Sequence, residues 1–265
     1  MERKGVRVDN ERLSKAVPEA EEEIRAVERE LAARVKIPAS QLNLNSNQQL
    51  RDIFFSKLGL PPIKFTKGGT TGVRVPCVDE FVLEHYANKG VPEAVLVRKH
   101  REYSKLLGTY LLGLSEHMDH NNRIHSRLNQ DVVRTGRLSS SAPNLQNIPR
   151  PENDKWGIRE GFVPEKGKTF LCFDYSQLEM RLLAAASLEQ SMLDMIHSGK
   201  DIHMGNAELV FGLPYADIQH AQDVKKKVGS GELPKEALTA YMKECLLART
   251  ATKSIGFGQP NNRPN

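Results

Sequence analysis

Leu13, Val17, Ile24, Val27, Leu31 and Val35 recur at helical spacing among charged residues, which predicts a long amphipathic helix. The same two or three turns of heptad-like pattern also suit a coiled coil. Ser46-Asn47-Gln48-Gln49 reads as a capping box, with Leu50, Ile53, Phe54 and Leu58 as the apolar face behind it. Gly59 and Pro61-Pro62 stop that helix, and Lys67–Gly72 is a loop. Two further helices are expected around Asp79–Asn88 and Pro92–His117, the second opened by Pro92 and faced by Val95, Tyr103, Leu106, Leu107, Tyr110 and Leu114. Near Arg123 the texture changes. Ile124–Asn129, Arg137–Ser141, Gly161–Pro164 and Thr169–Phe173 predict short strands separated by polar turns. The pattern returns to helix after Asp174, through Leu182, Leu183 and Ala184–Ala186, again from His203 to Phe211 and from Pro234 to Ile255.

Composition narrows the class without naming a chemistry. The chain has 265 residues, 39% hydrophobic and 27% charged, enough for one large domain or two smaller ones. No stretch reaches the ~20 apolar residues of a membrane span, and the start, Met1–Gly5, is charged with no apolar signal region behind it. Cys77, Cys172 and Cys245 are far apart and form no C-x-x-C pair, which favours reduced thiols and a cytoplasmic location over a disulfide or zinc framework. The net charge is +5 and the pI about 9.0, which fits a polyanionic partner. From Lys225 onward eight cationic side chains face three glutamates, an excess equal to the whole net charge of +5. Lys225-Lys226-Lys227 also suits a merely solvated face.

Three segments concentrate chemistry, and each admits a plainer reading. Thr135–Pro149 offers neutral donors and Arg137, a set that bonds to phosphate and to minor-groove acceptors without reading sequence. It also suits a loop that caps its own backbone. Phe170–Arg181 reads as an apolar strand ending in Asp174, which would present a carboxylate able to hold Mg²⁺ against a phosphate. Asp174 equally suits a helix N-cap. Arg249, Lys253 and Phe257 stand at i, i+4 and i+8, within roughly 80° on a helix. Two cations and an aromatic suit a triphosphate with its base, and equally a solvated basic stripe.

In sequence order these segments resemble the conserved run of the family A DNA polymerases, the bacterial DNA polymerase I type. Thr135–Pro149 is similar to T-G-R-L-S-S-x-x-P-N-L-Q-N-I-P, Asp174–Arg181 to motif A (D-Y-S-Q-x-E-x-R), and Arg249–Gly258 to motif B (R-x-x-x-K-x-x-x-F-G). Asp201-Ile202-His203 resembles the family's D-I-H and Val210-Phe211-Gly212 its V-F-G. Met1–Asp9 and Ser56–Pro61 resemble two runs nearer the family's thumb. The resemblance implies that Asp174 is one of two metal-binding aspartates and Glu179 the steric gate against a ribose 2′-OH. It implies that His203, Arg249 and Lys253 hold the incoming deoxynucleoside triphosphate. Phe257 would stack near sugar and base and discriminate against dideoxynucleotides. Arg137, Asn144, Gln146 and Asn147 would touch primer-template DNA.

The implied architecture is α+β: residues 1–122 thumb and connecting helices, 123–195 a partial antiparallel palm sheet with motif A, 196–265 partial helical fingers with motif B. The remaining palm strands would follow motif B. The implied reaction is attack of a primer 3′-hydroxyl on the α-phosphate of a deoxynucleotide, assisted by two Mg²⁺ ions. The sequence departs from the family in two places. The connection from Gly212 to Arg249 is longer by roughly twenty residues and reads as a loop near 213–243, a change that closure entropy tolerates. After Gly258 comes Gln259–Asn265, with Pro260 as a helix breaker, and motif C with its His-Asp-Glu and second metal-binding aspartate is absent. A polymerase fragment inactive alone is therefore expected. A non-catalytic primer-template DNA-binding fragment and one half of a split polymerase, completed by a second chain, are the rivals. The location is expected to be the cytoplasm of a bacterial or phage-infected cell. His117, Asp119, His120 and His125 crowd together and suit either a metal or a solvated helix end, the latter favoured.

Overall fold

The structure is a computed structural model that describes residues 2–67 and 74–256. The described residues are mostly helical, with three two-stranded antiparallel sheets. The chain forms two compact units, Met1–Phe170 and Leu171–Asn265.

Unit 1 is organised by α1 (Asn10–Val35), the predicted amphipathic helix, about 39 Å long at 1.5 Å per residue. Asp9 caps it, its carboxylate accepting from Arg12 N at 3.0 Å. The helix runs between two apolar cores. Its first half contributes Leu13 and Ala20 to a cluster with Tyr110, Leu114, Ile124, Trp156 and Ile158. Its second half contributes Val27, Leu31 and Val35 to a cluster with Leu50, Phe54, Val82, Leu83, Tyr86 and Val97. The repeating face is therefore buried within one chain, and the coiled-coil alternative is not needed.

Ser46 caps α2 (Asn47–Arg51) as expected, accepting from Gln49 N at 3.3 Å. The reciprocal half of the capping box is missing. The Gln49 side chain bonds Asn43 N at 2.7 Å and Gln41 O at 2.8 Å, closing the preceding loop instead. The helix continues in π form over Asp52–Lys57 and ends before Gly59, whose φ of +63° suits glycine. β1 (Val6–Arg7) joins the sheet described below. β2 (Phe65–Lys67) and β3 (Arg74–Pro76) pair antiparallel, and the loop expected at Lys67–Gly72 lies, beyond Lys67, outside the described residues. α3 (Glu80–Asn88) and α4 (Pro92–Lys105) follow as predicted, with Pro92 in the first turn of α4. The helix expected to run to His117 does so in pieces, π-helical over Leu106–Leu112 and 3₁₀ over Ser115–His117.

β4 (Arg123–Ile124) pairs antiparallel with β1, and β5 (Arg127–Asn129) pairs with β6 (Ser139–Ser141). Arg123 ties the N-terminus to this sheet. Its guanidinium donates to Lys4 O at 2.6 Å, Gly5 O at 3.0 Å and Glu165 Oε1 at 3.1 Å. The Gly161–Pro164 segment is a partial match, with Phe162 bridging Val8 and Val163 N donating to Arg7 O. The expected strand over Thr169–Phe173 does not form. No described segment pairs with it, and an unpaired strand leaves its backbone groups without partners. Leu171 is 74% exposed and Phe173 90%.

Unit 2 is helical: α5 (Leu178–Ser187), α6 (Gln190–His197), α7 (Ile202–Phe211), α8 (Tyr215–Gly229) and α9 (Ala240–Gly256). The long connection near 213–243 is a correction to the sequence reading. Most of its first half is α8, whose Ile218, Ala221 and Val224 recur at helical spacing and are buried. α7, α8 and α9 pack on one another around Met204, Ala207, Ile218, Ala221, Cys245 and Ala248. Small side chains let these helices approach closely. A Cβ at Gly205 would run into Met195 Sδ of α6. All three cysteines are free.

Candidate functional site

Residues 170–176 lack regular structure and lead Asp174, exposed, to the start of α5. The turn is fixed by two hydrogen bonds. Arg181 Nε donates to Ser176 O at 2.9 Å, and Gln177, at φ +54°, accepts from Ile202 N through Oε1 at 3.1 Å. The second bond ties the turn to the N-terminus of α7. Glu179 lies in the first turn of α5 and is exposed.

Asp201 is the N-cap of α7. One carboxylate oxygen accepts from Met204 N at 2.9 Å and the other pairs with Arg249 of α9 at 2.8 Å. Its own N–H donates to the Tyr215 hydroxyl at 2.8 Å, which brings in the first residue of α8. The Asp201 and Arg249 side chains are 18% and 16% exposed, so the pair is largely screened from water. Burial pushes the Asp201 carboxyl up, but the Arg249 bond, the Met204 N–H and the Arg249 charge outweigh it and hold the group below the usual carboxylate range.

His203 is buried one turn into α7. Its carbonyl accepts from Thr252 Oγ1 of α9 at 2.9 Å, which locks the two helices in register. Burial holds the His203 imidazole below its ordinary range. Asp201 pulls it up, while the nearby Lys253 and Arg249 charges push it further down. The packing thus brings together Asp201, His203, Arg249 and Lys253. Phe257 lies outside the described residues.

The other predicted group belongs to unit 1. Arg137, Asn144, Gln146 and Asn147 are exposed along the loop that follows and brackets β6. This loop also holds itself together. Asn144 Oδ1 accepts from Gln146 N at 3.0 Å, Gln146 Nε2 donates to Leu138 O at 3.1 Å, and the Tyr110 hydroxyl donates to Asn147 O. Ser126 and Ser140, both buried, bond each other at 2.5 Å beneath it. The self-capping reading therefore holds for Asn144, Gln146 and the serines, while Asn147 engages through its backbone.

The donor set for a metal is short. Asp174 is the one carboxylate that the motif assigns, and among the described residues no three His, Cys, Asp or Glu side chains gather as a metal cage. The described residues do not by themselves build a two-metal centre. The His117–His125 cluster is a turn. Asp119 accepts from Asn121 N and Arg123 N at 2.8 Å each, and its other oxygen meets His125 Nε2 at 3.1 Å.

Sequence reasoning assigned no role to Asp201, although an aspartate three residues before Met204 is a legible N-cap signal. Nothing in the sequence pointed to Tyr215 or to the Gln177 side chain as its neighbours.

Comparison with known proteins places the chain by sequence and fold. A sequence model of DNA polymerase family A matches residues 10–229. DNA polymerase I of Lactococcus lactis subsp. lactis (strain IL1403) is 38% identical over 223 residues, covering 84% of this chain and 24% of the relative. Thermostable DNA polymerase I of Thermus caldophilus is 38% identical over 216 residues, covering 81% of this chain and 25% of the relative. Among solved structures, the POL domain of Pol1 from M. smegmatis, in complex with DNA primer-template and dNTP, aligns with a TM-score of 0.70 at 28% identity, over 97% of this chain and 45% of that one. The chain thus spans about a quarter of the length of these curated relatives. It belongs to DNA polymerase family A.

Proposed function

We propose that the complete protein carries out template-directed DNA synthesis as a DNA-directed DNA polymerase. Residues 1–122 would serve as thumb and connecting helices, 123–195 as part of the palm and 196–265 as part of the fingers. The observation that carries this reading is the packing of α7 on α9, which gathers His203, Arg249 and Lys253, with charges close enough to act on one another. That arrangement suits the phosphates of an incoming deoxynucleotide. Arg249 offers a planar fork for phosphate oxygens and Lys253 a point charge. A neutral His203 offers a hydrogen bond without adding a third buried charge.

Glu179 would stand against a ribose 2′-OH, and Phe257 beside the sugar and base. Arg137, with Asn144, Gln146 and Asn147, would follow primer-template DNA through contacts that carry no sequence information. In the two-metal scheme carboxylates from separate segments hold paired divalent ions, Mg²⁺ in this reading. Asp174 is one such group, and its partner is not among these residues. The exposed run through Leu171, Phe173 and Tyr175 has the composition of a palm strand.

A polypeptide of these 265 residues is therefore expected to bind primer-template DNA and not to extend it. The binding should be sequence-independent and weaken with salt, because phosphate contacts release counterions. The test is a salt-dependent titration beside a primer-extension assay with Mg²⁺, all four deoxynucleotides and an Asp174→Ala control. Extension that vanishes in the control would show that a second metal ligand exists within residues 1–265 and would overturn this division of labour. Absence of DNA binding at low salt would overturn the reading itself. A split polymerase, completed by a second chain, predicts the same behaviour with activity restored by that chain. The proposed setting is the cytoplasm, and no helix of the described residues is long and apolar enough to cross a membrane.

A further inference from the structure

We propose that His125 is a pH-sensitive clasp that holds the strap leading into β1, residues 2–5, against β4 and β5. The strap has little apolar anchorage of its own. Glu2, Arg3 and Lys4 are exposed, and Val8 is the first fully buried side chain along the described residues. Polar bonds from distant parts of unit 1 hold it instead.

The imidazole stands between two acceptors. Its Nδ1 lies 2.7 Å from Glu2 O and its Nε2 3.1 Å from Asp119 Oδ2. A backbone carbonyl and an ionised carboxylate can only accept. A neutral imidazole carries one N–H, so it completes one of these bonds and turns a lone pair towards the other oxygen. The imidazolium donates through both nitrogens and completes both. The strap also lies close on the ring. A Cβ at Gly5, whose φ is +62°, would stand 2.9 Å from His125 Cε1 and 2.7 Å from Ile124 O.

The surroundings favour the charged form. Asp119, from the turn before β4, draws the ring towards the cation, and Arg123 of β4 opposes it. The Glu2 carboxylate is taken up by Leu128 N at 2.6 Å, and His120 by the Asn121 amide at 2.9 Å. The Arg123 N–H, with the His125 and Asn121 bonds, outweighs burial and holds Asp119 below the usual carboxylate range, so it stays ionised. The Glu2 carbonyl first, and then Asp119, raise His125 above its ordinary range. With the folded value raised, the clasp is fully closed below about pH 6.5 and opens as pH rises through that folded value.

Arg123 limits how far the strap can open. Its guanidinium holds Lys4 O and Gly5 O without help from the ring. Release is therefore confined to Glu2 and Arg3, and it withdraws the Glu2 carboxylate from the Leu128 N–H.

The test is NMR on the isotope-labelled 265-residue chain between about pH 5 and pH 9. It follows the His125 ring, the backbone order of Arg3, and exchange of the Leu128 amide corrected for its intrinsic pH dependence. The Arg3 and Leu128 signals should change at the midpoint of the ring, and the opening of the Leu128 bond should rise by about tenfold across it, with Val8 unmoved. In His125→Gln, which titrates nowhere in this range, both signals should be flat. In Asp119→Asn the amide oxygen still serves Asn121 N and Arg123 N, but the charge is gone. The ring midpoint should fall, and the strap midpoint with it. A strap that stays ordered through the wild-type ring midpoint overturns the proposal, and this titration decides the case even where a substitution fails to fold. A wild-type transition that persists in folded His125→Gln also overturns it and assigns the change to the terminal amine. So does a strap midpoint that stays in place while Asp119→Asn moves that of the ring.

Discussion

The two units bury very different kinds of side chain. Unit 1 encloses Tyr86, Phe54, Leu13, Leu31, Leu50 and Ile53 almost completely. Unit 2 closes around alanines, Cys245, Met204 and Ile218, and leaves Leu171, Phe173, Leu182, Leu188, Leu209 and Leu247 largely in solvent. The first pattern is that of a self-sufficient core. In the second, cohesion comes more from specific polar links, Asp201 with Arg249 and Thr252 with the His203 carbonyl, and less from buried area. The lesson is that the part of the chain richest in chemistry is the part least secured by apolar packing. Large apolar side chains left exposed in this way mark surface that a partner can cover.

Equal side-chain deletions should expose the contrast most strongly. Leu31→Ala removes a fully buried side chain from the face of α1 and should cost about 2–5 kcal/mol in urea unfolding. Leu182→Ala deletes the same atoms from an exposed site in α5 and should stay within about 0.5 kcal/mol. Similar losses at both positions would break the comparison.

Asp201→Asn comes next. The amide still caps α7 through Met204 N, but it leaves the Arg249 guanidinium partly buried without its counter-ion. A loss of about 1–3 kcal/mol is expected for unit 2, discounted from the cost of a fully buried pair because both side chains keep some exposure. No change in its thermal midpoint would mean that the polar links do not hold unit 2 together.

The smallest effect is a difference in the sign of pH dependence. The Glu2 carbonyl and Asp119 raise the His125 pKa in unit 1. Its contribution is fully present below the ordinary histidine value of about 6.5 and is lost as pH rises through the higher folded value. Burial lowers the His203 pKa in unit 2, so its contribution is present above about 6.5 and is lost as pH falls through the lower folded value. Imidazole titrations followed by NMR should place His125 above and His203 below the free value. The reverse order would contradict the burial assigned to His203.

Much of unit 1 was legible because periodicity and punctuation agree there. The Leu13–Val35 face, the Ser46 cap, Pro92 and Gly59 each act locally, and the structure keeps each of them. What the sequence hid depends on partners distant in the chain. Thr169–Phe173 has the composition of a strand, but composition cannot supply the neighbour that a strand requires. α8 was obscured because the cationic run Lys225–Lys227 near its end has no apolar period, while Ile218, Ala221 and Val224 carry the weaker helical signal. In the candidate site, the motif runs pointed to His203, Arg249 and Lys253. The Asp201–Arg249 pair spans forty-eight positions of sequence and becomes visible only when α7 meets α9.

The central claim is that unit 2 presents a nucleotide-phosphate face made by α7 and α9. Its most direct test is equilibrium binding of a deoxynucleoside triphosphate to the 265-residue chain, wild type against Arg249→Ala/Lys253→Ala, with helicity checked in both. The account predicts measurable binding by the wild type, weakened by at least about tenfold in the double variant, since two charge-assisted contacts are lost. Binding that is unchanged in a folded double variant, or no binding by the wild type, would contradict it.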